Sequence, residues 1–248
     1  MRYILIVFSF LFVQKSYSQN SQYLFLSVQP GLNHRIMFPE NEKFKDSFKK
    51  NDKFHQSLSF NIYKPISLSQ RSTLLIGLQY QNMGFKRMKD DVKFLDTIHP
   101  LLGIRADQVQ IGPSWVEFRY RYHYLSIPFL YSKELKRRVK GASGSLHVLA
   151  GGAISGLLKQ DINAVFYGFT FKGQKSIKFN ENDISSGLVS GNIQIGLRYE
   201  NKIDGEKLSV FVQPKLTLPV LPANYGKNMH MLYSIGAEFG LKVRLSDD

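Results

Sequence analysis

The most regular pattern in the chain is an alternation of apolar and polar positions close to its carboxyl end. From Met229 to Leu245 every odd position is apolar, while most even positions are polar or glycine. Successive side chains of a β-strand point to opposite faces, so a period of two predicts a strand with one apolar face. A helix of the same sequence would scatter Glu238, Lys242 and Arg244 among apolar neighbours.

Seven further segments carry the same pattern with varying clarity. Most run to ten residues or more, which suits a tilted strand that crosses a membrane in about 9–11 residues. Strands of soluble sandwiches average only about 5–6 residues. The sequence therefore predicts an all-β fold, an eight-stranded antiparallel up-and-down transmembrane β-barrel. The seven segments are 22–32, 54–63, 72–84, 118–132, 145–158, 186–200 and 206–219.

The connections between these segments alternate between long and short. The long ones are 33–53, 85–117 and 159–185. Outer-membrane barrels have long extracellular loops and short periplasmic turns, so this alternation supports the barrel. An even number of strands places both chain ends on the periplasmic side.

The third long connection contains a possible β-hairpin. Residues 164–171 and 175–180 flank Lys172-Gly173-Gln174, which is typical of a turn between two strands. We expect this hairpin above the membrane as part of the loop. If it joined the wall instead, the barrel would have ten strands.

Segment 118–132 changes its parity. Phe118, Tyr120 and Tyr122 are apolar at even positions, but after Tyr124 the apolar residues are at odd positions. A β-bulge near Tyr124 would restore one apolar face. The alternative is that Tyr124 points into the interior.

The first residues have the layout of a secretory signal peptide. A positive start is followed by the apolar run Ile4–Val13 and by the small residues Ser16 and Ser18. We predict a signal peptide over 1–18 and one outer-membrane barrel domain over 19–248. The apolar run is too short for a membrane-spanning helix, which needs about 20 residues.

Composition and charge exclude several kinds of chemistry. The chain has no cysteine, and its six histidines show no close metal-ligand spacing. We expect no catalytic site, cofactor or metal. The net charge of +14 is dispersed among acidic residues, which argues against nucleic acid as a partner. Anionic lipid headgroups suit this charge better.

The polar faces of the strands predict a filled lumen. Glu238 should lie near mid-barrel, where an unpaired charge is costly, so we expect it to pair with Lys215, Arg121 or Arg198. An eight-stranded barrel filled by side chains is too narrow for an open channel. The predicted lumen network comprises Arg119, Arg121, Gln194, Arg198, Lys215, Glu238 and Lys242.

A motif in the fourth strand resembles a known family. Tyr124, Leu125, Ile127 and Pro128 in the run Tyr124–Leu130 are similar to the signature of PorT-like outer-membrane β-barrels of Bacteroidetes. The resemblance implies insertion by the barrel assembly machinery and no defined activity. One branch of that family takes part in type IX secretion and gliding.

Four functions remain open. The favoured one is a non-enzymatic outer-membrane barrel whose long loops serve envelope structure or bind envelope proteins. The alternatives are an accessory component of a secretion or gliding machinery, a lipid-modifying enzyme and a soluble periplasmic lipid-binding barrel. An enzyme could use His123 and Ser126, if a bulge brought them to one face. Trp115 could serve as a loop contact or as an interfacial anchor.

Overall fold

The computed structural model describes residues 23–39, 51–90, 110–136, 144–169, 176–179, 187–204, 207–223 and 228–245. The predicted signal peptide lies outside these residues. No helix among them is long and apolar enough to cross a membrane. The strands are β1 (Tyr23–Pro39), β2 (Asp52–Lys53), β3 (His55–Ser69), β4 (Ser72–Asp90), β5 (Gln110–Lys136), β6 (Gly144–Phe169), β7 (Ser176–Phe179), β8 (Val189–Asp204), β9 (Leu208–Pro219) and β10 (Asn228–Arg244).

Eight of these strands close into a ring. The antiparallel neighbours follow the order β4-β3-β1-β10-β9-β8-β6-β5, and pairing of β5 with β4 completes the circle. The predicted eight-stranded up-and-down barrel is confirmed. We call the end where Tyr23 pairs with Arg244 the lower end and the opposite end the upper end.

The two faces of the wall differ sharply in polarity. Large apolar side chains point outward, such as Phe60 at 51% exposure and Ile195 at 46%. Inward positions on the same or neighbouring strands are polar and fully buried, as Gln79, Gln213 and Glu238 show. We call the outward apolar surface the belt. This arrangement reverses that of a soluble protein, in which apolar side chains collect inside.

Above the belt, β4, β5 and β6 continue upward as a sheet of their own. β2 pairs with β4 on one edge, and β7 pairs with β6 on the other. We call this region the upper sheet. The strands therefore run further than predicted into the expected connections 33–53, 85–117 and 159–185. Trp115, expected in a loop, lies within β5 and stacks on Tyr167 with ring centroids 5.0 Å apart.

The predicted hairpin is part of the upper sheet. Residues 162–165 of β6 pair with β7, whereas β8 pairs with the lower part of β6, residues 144–156. β7 thus continues the position of β8 on the same neighbour and adds no strand to the ring. The ten-stranded alternative is excluded by this register.

A bulge is present at this level, but it lies in the neighbouring strand β6 and not in β5, where it was predicted. His123 pairs with Lys159 and Tyr124 with Leu157, which leaves Leu158 as the extra residue on β6. In β5 the buried positions stay at even numbers from Tyr122 to Leu130. The alternative prediction, that Tyr124 points into the interior, is therefore correct.

Candidate functional site

The centre of the lumen is an ion pair held by polar neighbours. Lys215 Nζ donates to Glu238 Oε2 at 2.9 Å, and both side chains are almost completely buried. Ser27 Oγ donates to the other carboxylate oxygen, and Asn61 Nδ2 donates to Ser27 Oγ at 3.1 Å. The pairing predicted for Glu238 with Lys215 is present. Each buried charge thus has a partner, as a low-dielectric site requires.

Arg198 extends this network toward the lower end. Its Nε donates to Gln213 Oε1 at 2.9 Å, and Gln213 Nε2 lies 3.4 Å from Glu238 Oε2. The guanidinium lies 4.6 Å from the ring centres of both Phe25 and Phe211. A planar cation over aromatic faces is attracted by their quadrupoles, which fixes this fully buried arginine in place.

Two other predicted members lie in separate layers. Gln194 donates to Gln79 Oε1 and to Asn192 Oδ1, both at 3.0 Å. Lys242 makes its own ion pair with Glu200, at 2.9 Å. The predicted lumen residues therefore lie in separate polar groups, the largest of which is centred on Glu238.

Sequence reasoning missed several lumen partners. Ser27 was absent from the predicted set because its strand alternates weakly. Asn61 lies on the polar face of the predicted strand 54–63 and could have been included. Gln213 could have been found, since it shares the inward parity of Lys215 and faces Glu238 across the β9–β10 ladder.

Arg119 and Arg121 do not belong to the lumen, so their predicted place was wrong. Tyr122, between Arg121 and His123, is fully buried and its hydroxyl lies 3.0 Å from Nε2 of His230 across the interior. Because neighbours along a strand face opposite ways, Arg119, Arg121 and His123 face outward. Arg119 bonds there to Glu117 and lies 3.5 Å from the Tyr167 hydroxyl.

Apolar clusters fill the lumen above and below the polar layers. The lower cluster packs around Tyr63, Leu130 and Phe211, while the upper one packs around Phe85 and Tyr122. An eight-stranded barrel has room only for its own side chains, and here they fill it. In the described part of the chain, these clusters pack the interior at both levels.

On the outer wall, the apolar surface of β4, β5 and β6 ends abruptly. Tyr80 and Leu125 face each other across the β4–β5 ladder. In the next outward row His123 lies between Asn82 on β4 and Lys159 on β6. The surface therefore changes from apolar to charged within one step of the ladder, at the lower edge of the upper sheet.

A chain of short contacts organises this charged row. The Tyr80 hydroxyl lies 2.6 Å from His123 Nδ1, and Nε2 of His123 lies 3.3 Å from Asp161 Oδ2. Lys159 Nζ contacts the other oxygen of Asp161 at 2.9 Å and keeps 52% of its side chain exposed. We call Tyr80, Arg121, His123, Lys159 and Asp161 the wall cluster.

The β-bulge puts Lys159 in this position. Leu158 and Lys159 are both exposed on the outer face although they are consecutive, because the bulge absorbs one residue. Without it, Lys159 would point into the lumen. Bulges often re-aim a side chain beside a functional site.

A second charged pair lies higher on the same face. Lys86 Nζ is 4.0 Å from Glu117 Oε1, and Arg119 bonds to the same oxygen. The hydrogen bond with Glu117 is the largest of the effects that raise the pKa of Arg119, so this guanidinium stays charged. Four cations (Lys86, Arg119, Arg121, Lys159) against two carboxylates (Glu117, Asp161) give this outer surface a formal +2.

The structure does not bring His123 and Ser126 together. His123 faces outward, while the buried Ser126 Oγ donates to Ser155 Oγ at 2.7 Å inside the barrel. The wall separates the two side chains. Among the described residues there is also no group of three or more His, Asp or Glu placed to hold a metal ion.

Comparisons with known proteins find similarity in the solved structures alone. No protein-family model matches the chain, and no curated protein is similar to it in sequence. Neisserial surface protein A is 9% identical with a TM-score of 0.39, over 89% of this chain and 97% of that one. The outer-membrane protease OmpT from Escherichia coli is 9% identical with a TM-score of 0.40, over 94% and 99%. OprG from Pseudomonas aeruginosa is 8% identical with a TM-score of 0.37, over 92% and 97%. Similarity at this level carries no argument about activity.

Proposed function

We propose that this chain is a non-enzymatic outer-membrane β-barrel that presents its upper sheet and loops at the cell surface. The observation that carries the proposal is the apolar belt around a filled, hydrogen-bonded lumen. Phe239 at 49% exposure and Leu197 at 48% would face water in a soluble protein, whereas in a bilayer they contact acyl chains. The closed ring gives every wall strand a hydrogen-bonded neighbour on both sides, as hydrocarbon requires.

The upper sheet supports a display role. It rises beyond the belt and is continuous with the rigid wall, so it can hold loops for envelope proteins in a fixed orientation. The predicted export signal and insertion by the barrel assembly machinery would deliver the chain to this site. A soluble lipid-binding barrel is disfavoured, because the lumen is occupied by the chain's own side chains.

A finer proposal is membership of the PorT-like group. In the motif that carries this resemblance, Tyr124 and Pro128 point inward while Leu125 and Ile127 lie on the outer face. A role as accessory component of a secretion or gliding machinery follows only if the protein co-purifies with a large envelope complex. A single protein in the outer-membrane fraction would favour the display role alone.

The proposal predicts how the protein behaves in cell envelopes and on a gel. We expect it in the detergent-insoluble outer-membrane fraction, with a gel mobility that changes after boiling because the folded barrel resists detergent. Soluble periplasmic material without a heat shift would overturn the proposal.

A matched pair of variants tests the belt itself. Ile195→Arg places a charge at the middle of the belt and should destabilise the folded barrel by at least about 2 kcal/mol in lipid vesicles. Ile203→Arg makes the same change on the same face of β8 near the lower end, where the cost is about 0–1 kcal/mol. Urea titration followed by the heat shift measures both. Equal effects would show that residue 195 does not face hydrocarbon.

A further inference from the structure

The wall cluster carries three cationic or basic side chains at the boundary between the belt and the upper sheet. The display role assigns no function to this position. Arg121, His123 and Lys159 lie on adjacent outward rows of β5 and β6, and Asp161 contacts two of them. Asp161 holds His123 and Lys159 beside each other and leaves Lys159 half exposed. The Nε of Arg121 is buried and has no acceptor in the described part of the chain.

We propose that Arg121, His123 and Lys159 form a binding site for the phosphate of an outer-leaflet lipid headgroup. A phosphate has several acceptor oxygens and a full negative charge, so it can accept from a guanidinium and an ammonium together. His123 lines the site beside them, with both of its ring nitrogens held by Tyr80 and Asp161.

The position of the wall cluster favours a lipid headgroup as the ligand and not a dissolved anion. It faces away from the lumen and lies directly above Leu125, with the exposed Leu158 next to Lys159 on the bulge. A phosphate bound there would have its acyl chains against the belt. The inference rests on the proposed insertion into an outer membrane, with the upper sheet on the outside.

Tyr80 and Asp161 are positioning residues in this site. Their contacts at 2.6 Å and 3.3 Å fix the two nitrogens of the His123 ring. A fixed ring loses less rotational freedom when a ligand binds, which favours affinity. The bulge at Leu158 acts in the same way, because it sets the direction of Lys159 before any lipid arrives.

The test measures binding to the folded, heat-modifiable protein in a neutral detergent by native mass spectrometry. The probes are phosphatidic acid, which carries a phosphate monoester, phosphatidylcholine, which has no net charge, and inorganic phosphate at equal free concentration. We expect phosphatidic acid to bind best. Lys159→Gln and Arg121→Gln should each weaken its binding by at least about tenfold, the loss of one charge-assisted hydrogen bond.

Lys133→Gln is the matched control. Lys133 lies on the same outer face of β5 but at its lower end, so its loss removes the same charge from a different level. Unchanged binding in this variant, with loss in the other two, supports the site. An equal loss in all three variants would indicate general charge attraction and overturn it.

The remaining outcomes are also decisive. If inorganic phosphate binds as well as phosphatidic acid, the lipid source is wrong. If neither binds while the protein still shows its heat shift, the site is wrong but the membrane barrel stands. A protein that lacks the heat shift would contradict the proposed membrane barrel itself. Failure of the binding site and failure of the proposed function are therefore distinguishable.

Discussion

Glu238→Gln will destabilise the folded barrel by about 3–5 kcal/mol, because it leaves the ammonium of Lys215 buried without its counter-charge. The Lys215 side chain is only 1% exposed, so solvent can do little to compensate its charge. Its other described contact is the Tyr63 hydroxyl at 3.5 Å, which cannot neutralise it. Urea unfolding in lipid vesicles, read by the heat shift, measures the loss.

A double variant separates the charge effect from packing. Lys215→Met with Glu238→Gln removes both charges, so it should recover most of the lost stability. Lys242→Gln breaks the Lys242–Glu200 ion pair, whose side chains are 25% and 6% exposed, and should cost less than Glu238→Gln because this pair is closer to water. If the double variant is no more stable than Glu238→Gln alone, the charge explanation fails.

Gly77→Ala is the second large effect that we expect. A Cβ at this position would stand 1.9 Å from the backbone oxygen of Ile62 on the neighbouring strand. Backbone atoms cannot swing aside as a flexible side chain can, so β3 and β4 would have to separate. We expect a loss of more than about 4 kcal/mol, or no heat-modifiable protein at all.

Gly156→Ala provides the control for this clash. The nearest atom to a Cβ there is the backbone oxygen of Leu125 at 3.9 Å, an ordinary van der Waals distance. The helix and strand preferences of alanine are the same at both sites, so only the space differs. Equal yields of folded Gly77→Ala and Gly156→Ala would contradict the close approach of β3 and β4.

The lower part of the fold could be predicted because two different surroundings act on its strands. Outward residues meet the belt environment and inward residues meet a polar lumen, so β10 and β8 carry a clear period of two. In the upper sheet this contrast is reversed: Lys86, Arg119 and Asp161 lie on its outer face while its inner face packs aromatics. The sequence there resembles that of a loop, so the predicted strands are shorter than the observed ones.

The error over Arg119 and Arg121 has a related cause. Alternation shows which residues share a face, but it does not show which face is inside. Tyr122 and Tyr124 pack with Met83, Phe85 and Leu232 in the upper cluster, so the apolar side of β5 is inward at that height. The lumen pair of Lys215 and Glu238 was predictable because both lie within the belt, where the outward face is the apolar one.

The change of parity at Tyr124 therefore does not come from a bulge in β5, as one alternative predicted. From Tyr122 to Ser132 the even-numbered residues of β5 face inward, and the side that is apolar switches from inward to outward as the strand enters the belt. On β6, the bulge at Leu158 brings Lys159 to the outer surface in the row of His123. On both β5 and β6, the outward residues therefore change from apolar to charged at the same height. In a bilayer, sinking by one row would bury these cations in hydrocarbon, and rising by one row would expose apolar side chains to water. The boundary between the belt and these charges therefore limits how deep the barrel can lie in a bilayer.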